Sequence, residues 1–319
     1  MNYQDLRIVF MGTPEFAVAS LDVLVQAGCN IVGVITAPDK PAGRGMKLSE
    51  SAVKKYAVEK GLHILQPEKL KNPAFLEELK KLQADVQVVV AFRMLPEAVW
   101  DMPPMGTINL HGSLLPAYRG AAPINWAIMN GEKETGVTTF KLQHQIDTGN
   151  ILLQEKIPIQ DDETAGELHD VMKEVGAKLL LKTIKGLADN SIEEVPQQNE
   201  NGSEAQKHAP KIFTDTCKID WTNSADNIYN LIRGLSPFPA AFTFLQNRLL
   251  KMYKAKKETV THHAAPGSYE SDGKKYLRFA CTDGFIYALD IQLEGKKRML
   301  IEDFLRGFRL NHEDTKDSK

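Results

Sequence analysis

The sequence predicts an α/β protein: a doubly wound, mostly parallel sheet with a smaller, C-terminal β-barrel. Three observations carry this. Short apolar runs alternate with helical patterns through the first half of the chain, as in a parallel sheet with crossover helices. A near-continuous β-branched run, Val86-Gln87-Val88-Val89-Val90-Ala91, suits a strand buried on both faces. After residue 211 the pattern changes to short strand-like runs split by turn dipeptides, the spacing of a small barrel.

The elements follow in order. Residues 6–11 form an apolar strand ending in Gly12-Thr13-Pro14. Pro14 suits the first turn of a helix, and apolar residues at helical spacing continue over 16–27. A second strand covers 31–35, helices cover 51–60 and 72–83, and the β-branched strand covers 85–92. Residues 107–111 alternate polar and apolar, as a half-buried strand does, and 137–142 reads as another strand. A long helix spans 163–188 with an apolar stripe through Leu168, Val171, Val175, Leu179 and Ile184. Residues 189–209 are rich in Asn, Gln, Glu and Ser and read as a linker. Beyond it come a helix at 225–235 and strands at 241–244, 248–255, 276–280, 285–291 and 299–301, then a polar tail, 311–319. The domain division is 1–190, a linker at 191–210, and 211–319.

Bulk properties bound the function. A chain of 319 residues suits two domains. With 43% hydrophobic and 25% charged residues it has ordinary globular composition. From residue 211 onward there are 18 Lys+Arg against 14 Asp+Glu, leaving 21 against 27 for the rest, which hints at a polyanionic partner for the C-terminal part. Cys29, Cys217 and Cys281 are odd in number and far apart, which suggests buried thiols in a reducing compartment rather than disulfides or a zinc site. No apolar run reaches the ~20 residues needed to span a bilayer, and the N-terminus runs directly into a strand. These features predict a cytoplasmic protein without membrane contact. The Gly-x-Gly-x-x-Gly dinucleotide loop is absent, because Pro14 and Ala17 take the second and third glycine positions.

The chemistry concentrates in Asn109-Leu110-His111-Gly112-Ser113-Leu114-Leu115-Pro116 and in Asp147-Thr148-Gly149. Asn109 and His111 lie two apart on a strand and share a face. With a carboxylate they suit attack on a carbonyl: imidazole takes a proton, carboxylate orients it, and the amide N–H steadies an oxyanion. No Ser or Cys nucleophile is needed if the substrate brings an amine. The 113–116 run offers an apolar wall with backbone polar edges, fit for a flat heterocycle. Pro38 to Lys47 contains Gly43-Arg44-Gly45 and reads as a flexible basic loop, either solvated or contacting phosphate. Arg248, Lys251, Lys254, Lys256 and Lys257 are equally open to two readings. One is a phosphate-facing ridge with 248, 254 and 256 on one face; the other is a solvated edge strand.

Asn109, His111, Ser113-Leu114-Leu115-Pro116 and Asp147-x-Gly149 together resemble the signature of the formyltransferases that use 10-formyltetrahydrofolate. The stretch Ala37 to Gly45 and the segments 209–212, 219–221 and 232–239 are similar to the methionyl-tRNA branch, so the likeness covers about residues 5–310. The resemblance implies a Rossmann-like catalytic domain and an OB-like β-barrel that binds tRNA. It also implies formyl transfer to the α-amine of initiator methionyl-tRNA, with 10-formyltetrahydrofolate as co-substrate. No metal or tightly bound cofactor enters, and the expected form is a monomer. It gives Asn109, His111 and Asp147 the catalytic roles and Ser113, Leu114, Leu115 and Pro116 folate contact. It directs Arg44, Lys47, Arg248, Lys254 and Lys256 to tRNA. Arg119-Gly120 and Trp126 shape the pocket. Arg93 stands where many relatives carry a small residue. A glycinamide ribonucleotide or nucleotide-sugar formyltransferase shares the trio, and a catalytically inactive tRNA-binding protein is the alternative of another class.

Overall fold

The computed structural model describes residues 1–42, 47–197 and 207–309. The chain falls into two units, each of several segments. The first comprises Met1–Gly120, Glu134–Pro158 and His169–His208; the second comprises Ala121–Lys133, Ile159–Leu168 and Ala209–Lys319. These units interleave in sequence, where the expected domains, 1–190 and 211–319, are each continuous. The helix Pro123–Met129 packs on the helix Ala225–Gly234, and Asn125 Nδ2 donates to the Gly234 carbonyl at 2.7 Å. Arg233, 5% exposed, donates to the carbonyls of Gln160 and Glu163 at 3.3 and 3.1 Å. Two early segments are thus held by groups from the C-terminal half.

The first unit is built on a seven-stranded sheet. Its order is Ile151–Pro158, Glu134–Lys141, Thr107–His111, Val86–Val90, Arg7–Gly12, Asn30–Ile35, Ile64–Leu65. From Thr107–His111 to Ile64–Leu65 the neighbours run parallel, while Glu134–Lys141 is antiparallel to both strands beside it. The chain starts mid-sheet, winds outward to Ile64–Leu65, then crosses to Val86–Val90. The order therefore reverses between Arg7–Gly12 and Val86–Val90, the Rossmann-like switch at which such sheets form clefts. All five residues of Val86–Val90 are buried, as its β-branched run requires. Gly12 permits the first helix to close on the sheet, since a Cβ there would stand 2.6 Å from the Ala17 Cβ. Ser51 and Asn72 cap their helices by accepting the amides of Lys54 and Ala74 at 3.0 Å each.

Several expected elements differ in detail. The long helix is Ala165–Ala188, beginning after Thr164, which exchanges capping bonds with Glu167. Its buried stripe runs through Leu168, Met172, Leu179 and Ile184, whereas Val171 is 42% exposed. The expected Val171 position is one residue out of phase. Part of the 38–47 loop is paired instead, as Lys40–Ala42 against Lys47–Ser49. The strands Ile64–Leu65 and Ile151–Pro158 lacked a distinct signal. The first is two residues long, and the second alternates only weakly because its middle is exposed. The expected polar tail, 311–319, and part of the expected linker, 198–206, lie outside the described residues.

In the second unit, six antiparallel strands form a curled half-barrel of OB-like form. The long strand Arg248–Thr259 pairs with both Ala241–Leu245 and Gly284–Leu293. The ladder with Gly284–Leu293 is irregular on both sides of Lys254, and such irregularities bend a strand. Leu250, Met252, Phe279, Ile286 and Ile291 form the core with Ile228 and Ile232 of the helix. Trp221 stacks on Phe279 with ring centres 4.8 Å apart and donates from its indole to Thr243 at 3.0 Å. The strands Tyr269–Ser271 and Leu277–Ala280 and the short helices Thr214–Cys217 and Ile301–Gly307 complete this unit's described elements beyond residue 209, with Leu277–Ala280 and Met299–Leu300 each pairing with Gly284–Leu293.

Candidate functional site

The strand Thr107–His111 lies between Val86–Val90 and Glu134–Lys141, with Asn109 opposite Phe140 and His111 opposite Thr138. Asn109 and His111 therefore project from one face, as the alternation requires. Asn109 is half-buried, and its amide makes no hydrogen bond with the described residues. His111 is 7% exposed.

Asp147 does not arrive from a strand end on the same side. Its strand runs antiparallel to Thr107–His111, so the chain leaves the sheet beside Thr107, where the Leu142 amide donates to the Thr107 carbonyl at 2.8 Å. The following loop folds back and brings the Asp147 Oδ2 to 4.0 Å from the His111 Nδ1. Gly149 makes the return possible. A Cβ at that position would lie 1.6 Å from the Lys141 carbonyl oxygen, so no larger residue fits without moving the backbone. Asp147 itself is buried, with φ of 55°, in the left-handed region.

The imidazole is oriented by a carbonyl. His111 Nε2 lies 2.9 Å from the Tyr118 oxygen. A carbonyl only accepts, so Nε2 carries the proton and donates it, and in the neutral ring Nδ1 is the basic nitrogen. At 4.0 Å the carboxylate does not hydrogen-bond to Nδ1. Two contacts of about 2.8 Å meeting at about 90° on one atom span that distance, so Nδ1 and Asp147 can reach the same proton-bearing group. Asp147 Oδ2 accepts the Gly120 amide at 3.0 Å. The expectation that the carboxylate orients the imidazole is thus replaced: Tyr118 orients the ring, and Gly120 aims the carboxylate.

The Ser113–Pro116 run is an ordered turn beside this trio. The Ser113 hydroxyl donates to the Ala117 carbonyl at 2.6 Å, and the Thr138 hydroxyl donates to the Ser113 carbonyl at 2.6 Å. The Leu115 amide donates to Thr138 Oγ1 at 3.2 Å, and Gln154 Nε2 donates to the Leu115 carbonyl and to Thr138 Oγ1, both at 2.9 Å. Ser113 and Leu115 are buried, while Leu114 and Pro116 are half-buried, and the Leu115–Pro116 bond is cis. Internal bonds occupy both backbone polar groups of Leu115, so a ligand here meets mainly the apolar surface of Leu114 and Pro116.

Sequence reasoning missed the strap behind Asp147. Gln197 Nε2 donates to the carbonyls of Asp147 at 2.9 Å and Gly149 at 2.8 Å, and its Oε1 accepts from Arg119 Nε at 3.1 Å and from Nη2. Val195 exchanges two backbone bonds with Ile151, at 2.8 and 2.9 Å. Glu194 accepts from Lys141 and Asn150; the Lys141 bond holds its carboxyl below the usual value, against the pull of burial. Ile192 and Val195, the two large apolar residues of the polar tract 189–197, were the only local signal.

Arg44 lies outside the described residues, and Lys47 begins the short strand Lys47–Ser49. The base of that loop is anchored. Asp39 accepts from Lys54 and from Gln66, the latter at 2.8 Å, and the Lys54 bond is the main cause of its lowered pKa. Arg248 donates to the Glu294 carbonyl. Lys254 is exposed and 4.0 Å from Glu167, and Lys256 is exposed. The irregular ladder around Lys254 breaks the simple alternation that would set 248, 254 and 256 on one face. Arg93 donates to the carbonyls of Pro67 and Glu68. Trp126 donates to the Pro210 carbonyl at 2.8 Å, within the second unit. Among the described residues no group of three or more His, Cys, Asp or Glu is placed to hold a metal ion, and no helix is long and apolar enough to cross a membrane.

Known proteins resemble this chain over nearly its whole length. The formyl transferase family profile matches residues 6–184, and the profile for the formyl transferase C-terminal domain matches 211–309. The chain is 55% identical over 316 residues to the methionyl-tRNA formyltransferase of Parabacteroides distasonis, covering 97% of this chain and 98% of that protein. It is 50% identical over 314 residues to the protein of that name from Flavobacterium johnsoniae, with the same coverages. Among solved structures, an N-formyltransferase from Helicobacter canadensis, in complex with folinic acid and dTDP-3-aminofucose, shares the fold. It does so with a TM-score of 0.67 at 23% identity, over 89% of this chain and 98% of that one.

Proposed function

The chain belongs to the formyl transferase family, and from that premise we propose the reaction and the roles of its residues. The enzyme transfers the formyl group of 10-formyltetrahydrofolate to the α-amine of methionine carried by initiator tRNA, for use in translation initiation. The near-full-length likeness to methionyl-tRNA formyltransferases carries this reading.

The site supports the chemistry as follows. The amine lone pair attacks the formyl carbon, and the carbonyl electrons move onto oxygen. The Asn109 amide, with no hydrogen bond among the described residues, donates to that oxygen. The amine loses a proton to His111 Nδ1, which is bare because Nε2 is committed to Tyr118. The Asp147 carboxylate, 4.0 Å away, meets the positive charge as it forms. Collapse of the tetrahedral intermediate breaks the bond to the folate N10, which leaves with a proton. The products are the formylated amine and tetrahydrofolate, with no net change in protons.

Ser113, Leu114, Leu115 and Pro116 form the wall against the folate ring, with Leu114 and Pro116 presenting its accessible surface. Arg44, Lys47, Arg248, Lys254 and Lys256 contact tRNA. The enzyme acts in the cytoplasm as a monomer. Formyl transfer to charged initiator tRNA, charged elongator tRNA, glycinamide ribonucleotide and an amino-sugar nucleotide, measured in parallel, tests the reading. Initiator methionyl-tRNA should dominate. Preference for either small amine would overturn the assignment.

A further inference from the structure

We infer that Gln197, locked by Arg119, is a positioning residue that sets the direction of the Asp147 carboxylate. The inference rests on the reading of Asp147 as the carboxylate of the site.

Arg119 fixes which way the Gln197 amide points. A guanidinium only donates, so Oε1 must face Arg119 and the NH₂ must face the loop. The NH₂ then holds two carbonyls of that loop, those of Asp147 and Gly149. The residue after Arg119 closes the circuit, because the Gly120 amide donates to the Asp147 carboxylate. Asp147 is therefore held at its backbone through Gln197 and at its side chain through Gly120, with Arg119 linking the two. A left-handed φ of 55° at an aspartate persists only where its surroundings determine it. Gln197 is itself anchored, through the Val195–Ile151 pair and through Glu194 on Lys141 and Asn150. Every group in this circuit belongs to the first unit.

Gln197 touches no reacting atom, so its loss should act only through Asp147. Removal frees two loop carbonyls and lets the carboxylate drift from its 4.0 Å approach to His111. Misplacement of about 1 Å costs up to roughly a hundredfold in rate. Full-length wild type, Gln197→Ala, Asp147→Asn and their double variant test the idea, together with Gln197→Glu and with Arg119→Ala alone and combined with Gln197→Ala. Each is assayed for kcat and for KM of the formyl donor, with thermal unfolding followed alongside. Gln197→Ala should lower kcat on the order of ten- to a hundredfold, leave the donor KM within about twofold, and lose most of its effect in an Arg119→Ala background, where the amide is no longer locked. In the Asp147→Asn background the same change should cost less than about twofold, because nothing remains to be aimed. Gln197→Glu keeps the Arg119 partner but turns an acceptor toward both carbonyls, and should be no better than Gln197→Ala. Equal losses in both backgrounds, or wild-type kcat in Gln197→Ala, would overturn the inference. Wild-type turnover in Asp147→Asn would instead defeat the reading of the trio.

Discussion

Thr138 is the most heavily used hydroxyl beside the candidate site, and replacing it with valine tests the construction of the Ser113–Pro116 turn. The side chains have the same shape, so packing is kept and only the hydroxyl is lost. Thr138 is fully buried, donates to the Ser113 carbonyl, and accepts from the Leu115 amide and from Gln154. Gln154 keeps its second bond, to the Leu115 carbonyl. The Ser113 carbonyl and the Leu115 amide lose these partners inside the protein. A buried polar group left unpaired costs about 1–3 kcal/mol. Two such groups, less roughly 0.8 kcal/mol regained from the added methyl, give a loss of about 1–5 kcal/mol. That is a sizeable part of the ~5–15 kcal/mol that holds a protein of this kind together. The unfolding midpoint should fall by roughly 2–20 °C for a unit of this size. Loosening the turn should also raise the KM for 10-formyltetrahydrofolate more than it lowers kcat. Thr138→Ser keeps all three bonds, loses one methyl, and should stay within about 1 kcal/mol of wild type. Scanning fluorimetry and urea titration, paired with donor kinetics, measure both effects. A valine variant within ~0.5 kcal/mol of wild type, or a serine variant that is the worse of the two, would refute the argument.

Three other outcomes are expected. Asn109→Ala, His111→Ala and Asp147→Ala should each reduce turnover by at least about a hundredfold with little change in folding, read by steady-state transfer and circular dichroism; a near-normal His111 variant would contradict the mechanism. Arg44→Ala should lower transfer to initiator tRNA by roughly ten- to a hundredfold and leave the donor KM alone; the gap should narrow at high salt if the contact is to phosphate. Burial pushes the thiols of Cys29, Cys217 and Cys281 above their ordinary pKa, so all three should react slowly with a disulfide reagent at pH 8 in the native protein and rapidly in denaturant. Prompt reaction of any one in the folded state would show that it is more accessible than its position indicates.

Local pattern alone determined much of this protein. The β-branched run at Val86–Val90, the alternation at Thr107–His111 and the proline-led helix after Gly12 each specify their element through side-chain period and backbone restriction, properties that need no distant partner. The pairing of Asn109 with His111 followed from that period, and the family from the chemistry and spacing of a few residues. Other features depended on groups far apart in the chain. The return of Asp147 toward His111 depends on an antiparallel neighbour and on a glycine pressed against the Lys141 carbonyl. The imidazole is turned by the carbonyl of Tyr118, and a carbonyl has no signature in sequence because every residue carries one. Gln197 sits in a tract whose composition reads as linker, yet it is fixed by Arg119, 78 positions earlier. The segments 121–133 and 159–168 join the second unit because Asn125 finds the carbonyl of Gly234 and Arg233 finds those of Gln160 and Glu163. Periodicity reports which face of an element is buried. Which group meets which across that face is decided only when the chain has closed and every buried donor must find its acceptor.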